Sequence, residues 1–173
     1  MRSTVALVQS TEYSTEQIEA AVRNAVDLLG GMSSFVQPGQ RVLVKPNLLQ
    51  AGDPAKAIIT HPLVVRAVVK LAQEAGGRVF IADNPFFPPV NERGWDRLYE
   101  RTGYAAIAAE TGAGLNNSIV PQQCPHPEGS LIKLVDTSSF LSESDVVISV
   151  PKLKTHSLMR YTGAVKNLFG VVP

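Results

Sequence analysis

Residues 145–151, Asp-Val-Val-Ile-Ser-Val-Pro, place the strongest constraint on how this chain can fold. The run is short, continuous, rich in β-branched side chains and ended by a proline. That pattern is typical of a strand in a parallel sheet that is covered on both faces. Because neighbouring parallel strands need a crossover connection, which is usually a helix, we expect strands and helices to alternate along the chain.

The rest of the sequence shows this alternation. Apolar runs predict strands at 5–8, 41–45, 78–82 and 131–135, with a short strand near Ile119. Helical spacing predicts helices at 14–29, 62–75, 94–99, 104–110 and 161–169. Ser14, followed three residues later by Gln17, predicts the N-cap of the first helix. The predicted fold is α/β: a mostly parallel sheet with helices on both faces, a Rossmann-like three-layer arrangement.

Size and composition exclude several classes of protein. The 173 residues fit a single domain, 1–173, and a net charge of +1 excludes a general basic surface for nucleic acid. No apolar stretch approaches the ~18 residues of a membrane span, and the first residues lack a signal-peptide pattern. These features predict a cytoplasmic protein. Cys124 is the single cysteine, so we expect no iron–sulfur cluster on this chain.

Polar side chains collect where the predicted strands end. In an open parallel sheet, ligands bind beyond the carboxyl ends of the strands. Lys45 and Asn47 follow the second strand, and Asp83 and Asn84 follow the third. These four side chains are therefore expected along one edge of the sheet.

The last strand leads into Pro-Lys-Leu-Lys-Thr-His, residues 151–156. If this segment stays extended, Lys152, Lys154 and His156 point to one side, because side chains alternate along a strand. The helix that begins at Pro62 is expected to direct its free N–H groups toward the same edge. Clustered cations beside a helix N-terminus are what a phosphate, a carboxylate or a nucleotide requires.

We therefore predict a site for a small anionic ligand at the carboxyl edge of the sheet. His156 and Asp83 form the candidate acid–base pair if a reaction takes place there. The predicted ligand-binding residues are Lys45, Asn47, Thr60, His61, Asn84, Lys152, Lys154, Lys166 and Asn167.

Plainer interpretations stand beside this one. The chain could instead be a metal-dependent enzyme that uses His61, His156 and Asp83 as metal ligands. Lysines beside strands are also often solvated strand ends. Phe86 and Phe87 suit either stacking on a flat ligand or packing of a loop. The apolar Val171-Val172 end predicts a docked terminus, a contact in a homo-oligomer, or a missing C-terminal partner segment.

Familiar nucleotide and hydrolase motifs are absent from the sequence. It contains no G-x-x-x-x-G-K-[ST] phosphate loop, and no G-x-G-x-x-G follows the first predicted strand. It also lacks the G-x-S-x-G nucleophile elbow. A ligand site here must therefore use a different arrangement of residues.

Four segments together resemble the domain of unknown function 362 family. They are Val-Leu-Val-Lys-Pro-Asn-Leu-Leu (42–49), the helix from Thr60 to Gly77, Val-Phe-Ile-Ala-Asp-Asn-Pro (79–85), and the segment from Ser144 to the end. The most specific part is Pro-Lys-Leu-Lys-Thr-His followed by Gly-Ala-Val-Lys-Asn-Leu-Phe-Gly. The resemblance runs from about Val5 to Pro173 and implies a soluble prokaryotic α/β protein.

This chain also departs from the pattern of the family that it resembles. Many family members carry a cysteine-rich, ferredoxin-like segment for two [4Fe-4S] clusters and continue beyond the position of Pro173. The resemblance therefore implies a truncated copy, and an alternative function as a redox-associated scaffold module that works with an iron–sulfur partner. The family commonly has Ala-Asp-Ser-Pro-Gly-Gly after the third strand; here Asp83 is kept, while Asn84 and Phe86-Phe87 replace the smaller residues.

Overall fold

The computed structural model describes residues 3–173 and contains eight strands, numbered in chain order. Strands β1 (Arg41–Pro46), β2 (Arg78–Ile81), β3 (Gly114–Leu115) and β6 (Val146–Val150) form a parallel sheet in the order β3-β2-β1-β6. Two antiparallel hairpins complete the set: β4 (Pro121–Pro125) with β5 (Leu134–Ser138), and β7 (Lys154–His156) with β8 (Arg160–Thr162). The α/β prediction is confirmed.

Within residues 3–173, six α-helices accompany the sheet. They are α1 (Thr15–Asp27), α2 (Pro62–Glu74), α3 (Glu92–Thr102), α4 (Tyr104–Thr111), α5 (Ser139–Ser142) and α6 (Ala164–Phe169). Helix α2 packs on β1 and β2, and α1 packs on α2. Phe140 of α5 covers the opposite face of the sheet, and α6 packs against β6. Helices therefore cover both faces.

Strand β1 lies at the centre of this arrangement because its side chains are buried on both faces. Val42 and Val44 belong to the larger apolar cluster, which includes α2, α3 and α4. Leu43 packs with Ala82 and Phe140 on the other face. Alternate side chains of one strand thus enter two separate cores, as the pleat of a strand requires.

The helix starts follow from local sequence. Ser14 is the N-cap of α1, as predicted, and its hydroxyl accepts a hydrogen bond from the Gln17 N–H at 3.4 Å. His61 is the N-cap of α2, and its Nδ1 accepts from the Leu63 N–H at 3.3 Å. Both caps satisfy backbone donors that the first helical turn leaves without an intrahelical partner.

One predicted strand is absent, and the burial of another differs from the prediction. Residues 5–8 form no strand, and Val5 and Leu7 are 84% and 94% exposed, so this apolar run does not contribute to the core. Strand β6 forms as predicted but lies at the edge of the sheet, and Val150 is its single buried residue among the five. Its apolar pattern correctly indicated a parallel strand and wrongly indicated full burial.

The less regular segments also differ in detail. Residues 112–130 contain β3 and β4, and the short strand predicted near Ile119 corresponds to β4, which begins at Pro121. The strand predicted at 131–135 lies further along the chain as β5. The last helix begins at Ala164, because residues 160–162 pair with β7. Among residues 3–173, no helix is both long and apolar enough to cross a membrane.

A hydrogen bond from Tyr104 links the helical layer to the edge of the sheet. Tyr104 is fully buried, and its hydroxyl donates to the Thr60 carbonyl at 2.8 Å. We expect Tyr104→Phe to lower the free energy of unfolding by about 1–3 kcal/mol, because a buried carbonyl loses its donor. Denaturant unfolding measures this. Tyr161→Phe, at a 67% exposed position, is the matched control and should change stability by less than about 0.5 kcal/mol; equal effects would contradict the prediction.

Candidate functional site

A buried ion pair joins the ends of β1 and β2. Lys45 is 0% exposed and Asp83 is 3% exposed, and the Lys45 ammonium donates to Asp83 Oδ1. Asp83 Oδ2 accepts from the Leu48 N–H at 2.8 Å. Burial raises the pKa of the Asp83 carboxyl, while the Lys45 charge and the backbone donors oppose that rise. The adjacent strand ends thus share one salt bridge in the interior.

The C-terminal end of α6 closes over this pair. A Cβ placed on Gly170 would lie 3.0 Å from both Lys45 Nζ and Asp83 Oδ1, so glycine permits the close approach. The Asn167 amide donates to the Lys45 carbonyl at 3.1 Å and to Ser149 Oγ at 3.0 Å. Helix α6 is therefore tied to both β1 and β6.

A cavity of about 420 Å³ lies beside the ion pair, within the usual size range of small-molecule sites. We call it the polar cavity. It brings together seven of the predicted site residues: Lys45, Asn47, Asp83, Asn84, His156, Lys166 and Asn167. Its wall is completed by Thr162, Gly170 and apolar residues that include Phe86 and Phe169.

The other predicted residues lie outside the cavity wall. Thr60 joins two strand ends: its hydroxyl donates to the Val150 carbonyl at 2.6 Å and accepts from the Asn47 N–H at 2.9 Å. Lys154 Nζ donates to the Ile58 carbonyl at 2.6 Å. These two side chains hold the loops in place around the cavity.

His61 and Lys152 meet at Tyr13 instead. The His61 ring stacks on Tyr13 with centroids 3.9 Å apart, and Lys152 Nζ lies 5.8 Å from the Tyr13 ring centroid. Burial, together with the Lys152 charge, lowers the pKa of His61. The expectation that Lys152 joins Lys154 and His156 was wrong, because β7 begins at Lys154 and the alternation does not extend back to Lys152.

The start of α2 lies outside the polar cavity. His61 accepts a hydrogen bond within the first turn, and no residue of α2 lies in the cavity wall. Within residues 3–173, the histidine, cysteine and acidic side chains also form no group of three placed to hold a metal ion. His61 is turned to Tyr13, while His156 and Asp83 face the polar cavity.

Backbone contacts define the tautomer of the neutral His156 ring. Its Nδ1 accepts from the Leu158 and Met159 N–H groups, both at 3.1 Å. An accepting Nδ1 carries no proton, so in the neutral ring the proton is on Nε2. Neutral His156 is therefore a hydrogen-bond donor through Nε2.

Sequence reasoning missed Thr162, Phe169 and Gly170 as parts of the cavity wall. Gly170 ends the Gly-Ala-Val-Lys-Asn-Leu-Phe-Gly run, so a glycine at a helix end was the available signal. Thr162 carried no signal, because its place depends on the pairing of β8 with β7.

Asn84 and the chain end have structural contacts. The Asn84 amide donates to the Val172 carbonyl at 3.0 Å, and the Val171 carbonyl accepts from the Ser138 N–H at 2.7 Å. The Val171 side chain also packs on the cluster around Leu43. Residues 171–172 are thus docked on the sheet layer, which was one of the three interpretations of this apolar end.

Comparison with known proteins identifies a family and a relative. The model of the family described as "Domain of unknown function (DUF362)" matches residues 42–173. The thylakoid-associated protein sll1697 of Synechocystis sp. (strain ATCC 27184 / PCC 6803 / Kazusa) is 39% identical over 175 residues, which cover 100% of this chain and 52% of the relative. The chain therefore spans about half the length of this curated relative. No solved structure matches the chain.

Breaking the Lys45–Asp83 pair should be costly. We expect Lys45→Met to lower the free energy of unfolding by about 3–5 kcal/mol, because it leaves the Asp83 carboxylate buried without a counter-charge. Lys45→Met/Asp83→Asn, in which neither side chain is charged, should be more stable than the single variant. Arg23→Met, which breaks the exposed pair with Glu74, is the control and should cost less than about 1 kcal/mol. A double variant no more stable than Lys45→Met would contradict this account.

His61 should make stability depend on pH. Its folded-state pKa is lowered, so the unfolded chain takes up the proton first as the pH falls below the ordinary histidine pKa of about 6.5. We expect the free energy of unfolding to decrease from pH 7.5 to pH 5. His61→Asn keeps an N-cap acceptor without the titrating ring and should show a smaller decrease. Parallel slopes in the two proteins, measured by urea unfolding at each pH, would exclude His61 as the cause.

Proposed function

We propose that this chain, which belongs to the family described as domain of unknown function (DUF362), binds a small anionic ligand in the polar cavity. The ligand's carboxylate or phosphate group is held at the side of the cavity formed by β7, β8 and α6. Lys166 is the principal cation, and His156 and Thr162 are hydrogen-bond donors. Lys154 adds positive charge nearby.

The charge of the cavity wall carries this proposal. Asp83 is the single acidic side chain in the wall, and its Oδ1 already accepts from Lys45. Lys166 lies in the same wall and has no hydrogen-bonding or ion-pair partner among residues 3–173. A second ammonium therefore faces the cavity without a counter-charge, which an anionic ligand would supply.

A second lysine adds to this excess. Burial and the nearby Lys166 charge lower the pKa of Lys154. The Lys166 contribution means that the two ammonium groups repel each other. An anion bound beside both groups attracts each of them, which offsets their mutual repulsion and favours their charged forms.

Unpaired polar atoms also support a ligand here. Asn47 Oδ1 and Thr162 Oγ1 are buried, and neither has a hydrogen-bond partner in the described part of the chain. Both residues belong to the cavity wall. A buried polar atom without a partner is costly, so such atoms usually pair with water or with a bound molecule. The Thr162 hydroxyl can donate to an anion, whereas Asn47 Oδ1 only accepts and does not itself bind one.

A binding experiment tests the proposal. At low ionic strength we expect inorganic phosphate, acetate or adenosine monophosphate to raise the melting temperature, and the rise to shrink as sodium chloride screens the charges. Lys166→Gln should weaken binding of the stabilising anion by about tenfold. Calorimetric titration at two salt concentrations measures both effects.

The matched control removes a positive charge elsewhere. Arg101→Gln changes the exposed last turn of α3 and lowers the net charge by the same amount. It should leave anion binding unchanged. If none of the three anions binds, or if Arg101→Gln weakens binding as much as Lys166→Gln, the proposed site is wrong.

A further inference from the structure

A second and more apolar cavity adjoins the polar cavity. It is a groove of about 760 Å³ between the β7–β8 hairpin and α6, and we call it the apolar groove. Its wall consists of His156, Leu158, Met159, Tyr161, Gly163, Ala164, Val165, Lys166 and Phe169. Three of these residues, His156, Lys166 and Phe169, also line the polar cavity. One continuous site can therefore offer an anion-binding end and an apolar end.

The side chains of the groove are unusually exposed for their type. Leu158 is 81%, Val165 is 88% and Phe169 is 71% exposed. Scattered apolar residues are normal on a protein surface, but a concave cluster of them marks a binding surface. The structure thus leaves apolar area to be covered directly beside the cationic end of the polar cavity.

Charge selects the kind of molecule that fits. Residues 146–173 contain four basic residues, Lys152, Lys154, Arg160 and Lys166, and no Asp or Glu. Asp83 is the single acidic side chain in the walls of the two cavities, and it is already paired with Lys45, so a cationic or zwitterionic occupant would find no unpaired acidic side chain there. An occupant with one anionic group at its end would meet Lys166 and the donor face of His156 at the junction of the two cavities.

We infer that the ligand of this site is an amphipathic acid: a carboxylate or phosphate that carries an unbranched hydrocarbon tail. The anionic group lies against Lys166 and His156, and the tail lies in the apolar groove along Leu158, Val165 and Phe169. This inference rests on the proposed function, since it places the same anionic group in the polar cavity. It adds that most of the binding free energy comes from the tail.

A homologous series of ligands tests the inference. Calorimetric titration would use acetate, butanoate, hexanoate and octanoate, and the alkyl phosphates of the same lengths, all below their micelle concentrations and at one ionic strength. We expect the Kd to fall by about fourfold for each added methylene until the groove is filled. The two series distinguish a carboxylate ligand from a phosphate ligand. Octan-1-ol and octylammonium, with the same tail, should bind more weakly than octanoate.

Variants separate the two ends of the ligand. Val165→Asn, at an exposed position of α6, should weaken octanoate binding by about tenfold and leave acetate and phosphate binding unchanged. Lys166→Gln should weaken binding along both series. Leu131→Ser is the control: it removes a leucine that is 93% exposed in the loop between β4 and β5, and it should change nothing.

Each contrary outcome has its own meaning. If short anions bind but octanoate binds no more tightly, the inference fails and the proposed function stands. If no anion binds, the proposed function itself fails. Octan-1-ol binding as tightly as octanoate would overturn the selection by charge.

Two macromolecular occupants would also overturn the inference. One outcome is binding to phosphatidylglycerol vesicles in a sedimentation assay, without binding of monomeric octanoate. The other is a dimer in sedimentation velocity that Val165→Asn dissociates, which would show that a second copy of the chain covers the groove.

Discussion

The buried salt bridge between Lys45 and Asp83 is the interaction on which the arrangement of the strand ends depends. Removing two charges from water costs several kcal/mol for each ion, and only close pairing with further hydrogen bonds offsets that cost. Here the Leu48 N–H binds the second carboxylate oxygen. Formation of the pair therefore requires β1, β2 and the loop after β1 to be in place together.

The same ion pair accounts for two residues at the end of α6, Asn167 and Gly170. Gly170 approaches both charged atoms to a distance that a side chain would prevent, and Asn167 binds the carbonyl of Lys45 itself. These contacts exclude water from the ion pair and place Lys166, one residue before Asn167, at the wall of the polar cavity. A structural requirement of the core thus positions the cation to which we assign ligand binding.

The sequence predicted the type of fold because parallel strands and helices have different apolar periods, and both periods are strong in β1, β2, β6 and α2. It did not predict burial correctly. The most apolar strand, β6, is at the sheet edge, whereas β1, which is buried from Val42 to Pro46, contains a lysine. A charged residue normally indicates the end of a buried segment, and only the position of Asp83 in space shows why Lys45 is an exception.

The candidate site shows the same limit. Residues at strand ends, such as Lys45 and Asp83, could be placed together from topology alone. Lys152 and His61 could not, because their direction depends on Tyr13, which lies far away in the sequence and has no recognisable signal. Thr162 depends on an antiparallel pairing of only three residues in each strand. Side-chain contacts of this kind are visible only in the three-dimensional structure.

The link from Asn167 and Gly170 to the sheet has a consequence for motion. Lys166 belongs to the same helix as these two residues, so a molecule that holds Lys166 also restrains the helix that covers the ion pair. Opening of the site and exposure of the centre of the sheet to water are then parts of a single local unfolding event. Binding of a ligand at Lys166 would consequently slow amide hydrogen exchange in the middle of β1, although the bound anion touches none of the central valines of that strand.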